Sequence, residues 1–197
     1  MIINPVTGLL DEARYVASPN CDDYPEGCSA ELVVVHNISL PPGEFGGPWI
    51  EALFTNRLPA DEHPYFADIA GMQVSAHLLI RRSGELVQFV PFNRRAWHAG
   101  QSSYQGREGC NDFSIGIELE GTDELPYEAV QYERLLDVLQ ALFAAYPKLS
   151  PEHLAGHEHI APGRKTDPGP AFDWALLRHE LANRDILSGN NRPRKKV

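Results

Sequence analysis

The sequence predicts an α/β fold: a single domain with a central mixed β-sheet flanked by α-helices. Three observations carry this expectation. Short apolar and β-branched runs recur up to Glu120, helical patterns follow from Tyr127, and 197 residues is about one domain's length. With 43% hydrophobic and 22% charged residues, the chain can bury a full core without disulfide staples.

The elements follow in order. Leu32–Val35 is an apolar run ending in His36 and reads as a buried strand. The stretch from Leu40 to Pro48 is rich in Pro and Gly, hence a loop. Residues 49–56 read as a short helix, with Pro48 suited to its first position. Residues 74–80 and 85–90 are two β-rich runs, joined as a hairpin by Arg81-Arg82-Ser83-Gly84. Ser114–Glu120 alternates, with Ile115, Ile117 and Leu119 on one face and Ser114, Gly116, Glu118 and Glu120 on the other. From Tyr127 to Tyr146, Leu135, Leu136, Leu139, Leu142, Phe143 and Tyr146 form a broad apolar helical stripe that Pro147 stops. Asp173 can cap a last helix running to about Asn183 and burying Trp174, Leu177 and Leu181. Residues 161–170 carry Pro162, Gly163, Pro168, Gly169 and Pro170 and form a shaped loop.

Charge narrows the function. Acidic residues outnumber basic ones 27 to 17, for a net charge of −10. That argues against a general nucleic-acid binder, which needs basic surface to displace counterions. No apolar run approaches the ~20 residues that span a bilayer. Met1–Leu10 holds no Lys or Arg, and Asp11 and Glu12 follow, so no secretory signal is read there and a cytoplasmic location is expected. Cys21, Cys28 and Cys110 are expected as free thiols. No long apolar stripe is left over, so a monomer is expected.

Eight histidines compete for functional roles. His36 stands where a buried strand meets a loop, His157 enters the shaped loop, and Asp167 lies ten residues beyond His157. Two imidazoles and one carboxylate, with a fourth position left to water, make an open catalytic zinc site. Spacing alone leaves the alternative of unrelated structural histidines standing. In His157-Glu158-His159 an extended chain would turn the two rings to opposite sides, so at most one is a ligand. Glu118 reads either as a surface carboxylate on a half-exposed sheet or as a general acid or base beside the metal. Lys165 reads either as a solvated loop lysine or as a cation that stabilises an oxyanion.

Four segments together resemble the AmpD family of cytosolic 1,6-anhydro-N-acetylmuramoyl-L-alanine amidases: Val35-His36-Asn37-Ile38-Ser39-Leu40-Pro41-Pro42-Gly43, Arg95-Ala96-Trp97-His98-Ala99-Gly100, the run Cys110-Asn111-Asp112-Phe113 continuing through Glu118 to Gly121, and Arg164-Lys165-Thr166-Asp167-Pro168-Gly169-Pro170. The resemblance spans roughly residues 5–180. It implies the fold shared by T7-type phage lysozyme amidases and peptidoglycan recognition proteins, with residues 1–185 as the zinc amidase domain; 186–197, basic at Arg192, Arg194, Lys195 and Lys196 and with almost nothing to bury, is expected as a disordered tail. It implies one zinc ion per chain held by His36, His157 and Asp167, with Glu118 as the catalytic glutamate and Lys165 as the catalytic-site lysine. Asn37, Tyr65, Trp97 and Arg107 would line or approach the substrate groove. The implied substrate is an anhydromuropeptide, cut between the lactyl carbonyl and L-alanine during cell-wall recycling, which lowers a signal that induces certain β-lactamases. Two other classes share this fold: a non-catalytic wall-binding module, and a secreted or phage-type amidase acting on intact wall. The chain departs from the family at Glu158 and His159, where relatives have Cys and Asp, and at Gln73, where some have Arg.

Overall fold

The computed structural model describes residues 1–187. Its elements are β1 (Arg14–Tyr15), β2 (Cys21–Asp22), β3 (Leu32–Ile38), α1 (Trp49–Phe54), α2 (Pro64–Ile69), β4 (Leu78–Ile80), β5 (Leu86–Gln88), β6 (Arg95–Ala96), β7 (Ser103–Tyr104), β8 (Arg107–Glu108), β9 (Ser114–Glu120), α3 (Ala129–Ala145), β10 (Leu154–Gly156), α4 (His157–Ile160) and α5 (Trp174–Leu187). A 3-10 turn, Cys110–Phe113, leads into β9. Of the expected tail, Ile186 and Leu187 belong to α5, and 188–197 lie outside the described residues.

Six strands form one mixed sheet in the order β1-β5-β4-β9-β3-β10. The β4–β5 hairpin is antiparallel, as its turn residues require, and every other pairing in the sheet is parallel. Alternation sorts the central strands. Val33 and Val35 on β3, with Ile115, Ile117 and Leu119 on β9, pack against Leu135, Leu139 and Leu142 of α3 and Leu177 and Leu181 of α5. The opposite face is covered by a second apolar layer: Leu79, Val87 and Phe89 meet Ile50, Leu53 and Phe54 of α1 and Phe66 of α2. A third cluster joins Leu32 and Val34 to Phe113, Ala155 and Ile160.

All seven residues of β9 are therefore buried, which excludes the half-exposed sheet considered for Glu118. A central parallel strand has both faces covered, so polar residues on it mark an internal site and not a solvated surface. Two further differences are local. The first run shortens to Leu78–Ile80 because Ser75 and His77 spend their polar groups on Asn20, Trp97 and Gly116. The helix α2 has a signal that the reading of the sequence passed over: Pro64 opens it, and His63 Nδ1 accepts from the Tyr65 N–H at 3.1 Å.

α3 is tied to the sheet at its first turn. Gln131 is fully buried; its Oε1 accepts from the Glu128 N–H, and its Nε2 donates to the carbonyls of Ile80 and Glu120, at 3.2 and 3.1 Å. Replacing it with alanine leaves two strand-end carbonyls without that donor. Gln131→Ala is expected to lower the unfolding free energy by about 1–3 kcal/mol in urea denaturation; a loss within experimental scatter would show that the ends of β4 and β9 do not depend on it.

Candidate metal centre

The site grows out of strand register. β3 and β10 run parallel with Val35 opposite Gly156, so the next residues, His36 and His157, emerge side by side. On the other flank β3 pairs with β9, and His36 lies opposite Glu118. Asp167 arrives on the loop after α4. Glu158 N–H donates to the Asp167 carbonyl at 2.9 Å, while the Pro168 carbonyl accepts from Tyr127 Oη and Asn37 Nδ2, at 2.7 and 3.1 Å. Gly169 rests on Asp123, where a Cβ would come within 2.3 Å of the Asp123 Cα, so only glycine allows this docking.

His36 Nδ1, His157 Nδ1 and Asp167 Oδ2 form a triangle with sides of 3.0, 3.1 and 3.1 Å. Three ligand atoms each about 2.0–2.2 Å from a shared tetrahedral zinc ion stand at nearly such separations. Two nitrogens and one oxygen are also a donor set that zinc takes, so the residues fit the ion. The far nitrogens are occupied: His157 Nε2 donates to the Ala99 carbonyl at 3.1 Å, and His36 Nε2 is 2.9 Å from His98 Nδ1. Burial pushes the His36 imidazole down to about 4, so the ring is neutral, the form that offers a lone pair to a metal. Burial works against the Asp167 carboxylate, yet its contacts with the His157 and His36 imidazoles outweigh it and hold the carboxyl below the usual range.

A cleft of about 320 Å³ opens over the triangle, and Asn37, Tyr65, Glu118 and Lys165 line it with the three donors. Leu53, Phe54, Ile69 and Val74 supply an apolar wall. Glu118 is 8% exposed. Its Oε2 has no hydrogen-bond partner among the described residues. Burial drives its carboxyl well above the usual range, Asp167 adds to the shift, and Lys165 opposes it. A larger hollow of about 580 Å³ lies elsewhere; of its charged lining residues, Arg14, Glu51, Arg81, Glu85 and Glu120 pair with one another and Arg82 pairs with Glu128.

The structure thus brings seven of the nine candidates to one cleft. Asn37 is there, although its amide N–H groups are taken by Asp123 and Pro168. Trp97 and Arg107 are not among the lining residues. The Trp97 indole donates to Asp22, while Arg107 is held on the β7–β8 hairpin by Glu31 and lies over the Phe113 ring at 3.9 Å. His159 accepts from the Gly156 N–H through Nδ1 at 2.8 Å. The His157–Ile160 segment is a helical turn and not extended chain; two-residue spacing on a helix still turns His159 away from the donors. The residues that sequence reasoning missed are His98, which contacts His36, and Ser114, which contacts His98. Their signals were present: His98 sits in a quoted segment, and Ser114 lies on the same face of β9 as Glu118.

A parallel-rich α/β sheet with three side chains able to hold a metal ion at its strand ends, a buried carboxyl beside them and an open cleft above has the make-up of a metal-dependent hydrolase. The N-acetylmuramoyl-L-alanine amidase family matches residues 26–170. The 1,6-anhydro-N-acetylmuramyl-L-alanine amidase AmpD of Salmonella typhimurium (strain SL1344) is 62% identical over 178 residues, 90% of this chain and 95% of that protein. A crystal structure of a selenomethionine AmpD derivative is 61% identical, covers 91% of this chain and 98% of that one, and superposes with a TM-score of 0.88. The Escherichia coli amidase AmiD, solved with anhydro-N-acetylmuramic acid-L-Ala-D-γ-Glu-L-Lys, is 29% identical with a TM-score of 0.56 over 79% of this chain and 60% of that one. This chain is an N-acetylmuramoyl-L-alanine amidase and belongs to the AmpD family.

Proposed function

We propose that the protein is a zinc-dependent 1,6-anhydro-N-acetylmuramyl-L-alanine amidase, cutting the amide between the lactyl group and L-alanine in anhydromuropeptides released during peptidoglycan recycling. The single observation that carries this reading is the triangle of His36, His157 and Asp167 closed beside an unpartnered, buried Glu118. The high identity to AmpD amidases supports the anhydromuramoyl substrate. A reducing cytoplasm fits the three free thiols. No helix among the described residues is long and apolar enough to cross a membrane. The protein acts as a monomer, with one zinc ion per chain.

His36, His157 and Asp167 hold the zinc, which when bound lowers the pKa of water and polarises a carbonyl. Glu118 accepts a proton from the attacking water and delivers it to the leaving L-alanine nitrogen. Burial raises its pKa above the usual carboxylate range, which favours holding the proton until the nitrogen leaves. The Lys165 ammonium reaches the cleft from the loop two residues before Asp167 and stabilises the oxyanion that develops on the lactyl carbonyl. Tyr65 and the apolar wall of Leu53, Phe54 and Ile69 pack against the sugar and lactyl carbons, and Asn37 offers its side-chain oxygen to the substrate.

Lys165→Ala is expected to lower kcat by about 10²–10³ with zinc content unchanged; turnover within twofold of wild type would remove Lys165 from this role. The reading as a whole is tested by mass-spectrometric assay of anhydromuramoyl-tripeptide and of whole sacculi, each with and without a zinc chelator. Release of anhydromuramic acid that the chelator abolishes, with little action on sacculi, is the expected result. Full turnover by metal-stripped protein would overturn it.

A further inference from the structure

We propose that His98 is a positioning residue that holds His36 in the one tautomer able to bind metal, by way of a one-way hydrogen-bond chain anchored at the Cys110 carbonyl. The proposal rests on the metal-centre reading above and adds to it a residue of the cleft lining that acts through a metal donor.

The direction of the chain follows from its anchor. A backbone carbonyl only accepts. The Cys110 carbonyl takes the Ser114 hydroxyl proton at 2.6 Å. The Ser114 oxygen then receives, and His98 Nε2, 3.1 Å away, donates to it. A neutral imidazole carries one N–H, so His98 Nδ1 is left as an acceptor. It lies 2.9 Å from His36 Nε2, which must therefore donate. The bare nitrogen of His36 is then Nδ1, the one in the donor triangle.

The fold makes room for this ring and fixes it. A Cβ on Gly116 would come within 2.4 Å of the His98 Cγ, so the glycine on the polar face of β9 is the seat of the imidazole. Asn111 Oδ1 accepts from the N–H groups of His98 and Ala99, at 3.1 and 2.8 Å. The same short segment serves the second ligand, because the Ala99 carbonyl accepts from His157 Nε2. One pinned dipeptide thus sets the tautomers of both histidine donors, through a side chain for His36 and through backbone for His157. Ligand histidines are commonly oriented by such outer hydrogen bonds, and losing one typically weakens metal binding about 10–100-fold.

The test compares wild type with His98→Leu, His98→Asn and Ser114→Ala. In metal-free protein labelled with ¹⁵N-histidine, long-range ¹H–¹⁵N spectra are expected to show His36 as the Nε2–H tautomer in wild type and as a mixture in His98→Leu. Zinc dissociation constants, measured by competition with a chromogenic chelator, are expected to rise about 10–100-fold in His98→Leu. His98→Asn, whose Oδ1 accepts near the position of Nδ1, should recover most of that loss, and Ser114→Ala should fall between. A wild-type tautomer and affinity in His98→Leu would overturn the proposal. So would equal weakening in His98→Asn and His98→Leu, which would mean that the ring only fills space. Should His98→Leu fail to fold, Ser114→Ala carries the same two readouts, and wild-type values there would overturn the anchored chain. Absence of zinc binding by wild type would overturn the metal-centre reading, while the tautomer of metal-free His36 would still decide the role of His98.

Discussion

Replacing Glu118 with glutamine is expected to lower kcat by about 10²–10⁴ while the purified enzyme keeps one zinc per chain. The change is isosteric, removes the group proposed to exchange the proton, and leaves His36, His157 and Asp167 in place. It also separates two roles that burial alone does not. A structural carboxyl so deeply placed would be hydrogen-bonded, because an unmet buried polar atom costs about 1–3 kcal/mol. Glu118 instead leaves Oε2 without a partner and faces the cleft. A lone buried oxygen that faces the cleft is free to meet the substrate or its water. Glu118→Gln should accordingly be as stable as wild type or more so, since it removes an ionisable group from a dry position. Near-normal hydrolysis by this variant would end its assignment as the proton carrier.

The second large effect is expected at His157. His157→Ala should release the metal and reduce amidase activity to background, with zinc affinity falling by more than the ~10–100-fold that loss of an outer hydrogen bond costs. Three protein ligands are the usual complement of a catalytic zinc site, so removing one leaves two. His157 also closes the triangle physically: its Nδ1 is 3.1 Å from Asp167 Oδ2 and 3.0 Å from His36 Nδ1. Without it the Asp167 carboxylate loses a partner that holds it in the ionised form. Elemental analysis after dialysis against a chelator, together with a chelator-competition titration, reads the outcome. Stoichiometric zinc retained by His157→Ala would contradict the ligand assignment.

Much of the architecture was legible along the chain. The alternation of Ser114–Glu120, the hairpin turn at Arg81–Gly84 and the apolar stripe from Leu135 to Leu142 are local patterns, and all three appear as read. Motif residues were legible as well, because His36, Glu118, Lys165 and Asp167 sit in segments whose resemblance to one family is specific, while His157 stood out by its place at the entry to the shaped loop. Short elements were harder. The strand Leu154–Gly156 and the turn His157–Ile160 are too brief to carry a period, and they exist because β3 and the Asp167 loop hold them. Arg107 shows the reverse case. Its segment suggested a place at the groove, but the β7–β8 hairpin sets its guanidinium against Glu31 and Phe113.

By itself, then, the sequence determined the strands β3, β4, β5 and β9, the helices α1, α3 and α5, the family, and which side chains are chemically able to hold a metal and move a proton. Only the tertiary structure decided that the polar face of Ser114–Glu120 is interior, that His36 stands opposite Glu118 and beside His157, and that a chain of contacts runs from Ser114 through His98 to His36. The physical reason is that parallel pairing joins segments far apart in the chain. Their register is set by which faces can be buried together once the helices pack on the sheet, a condition of the whole fold that no local period contains.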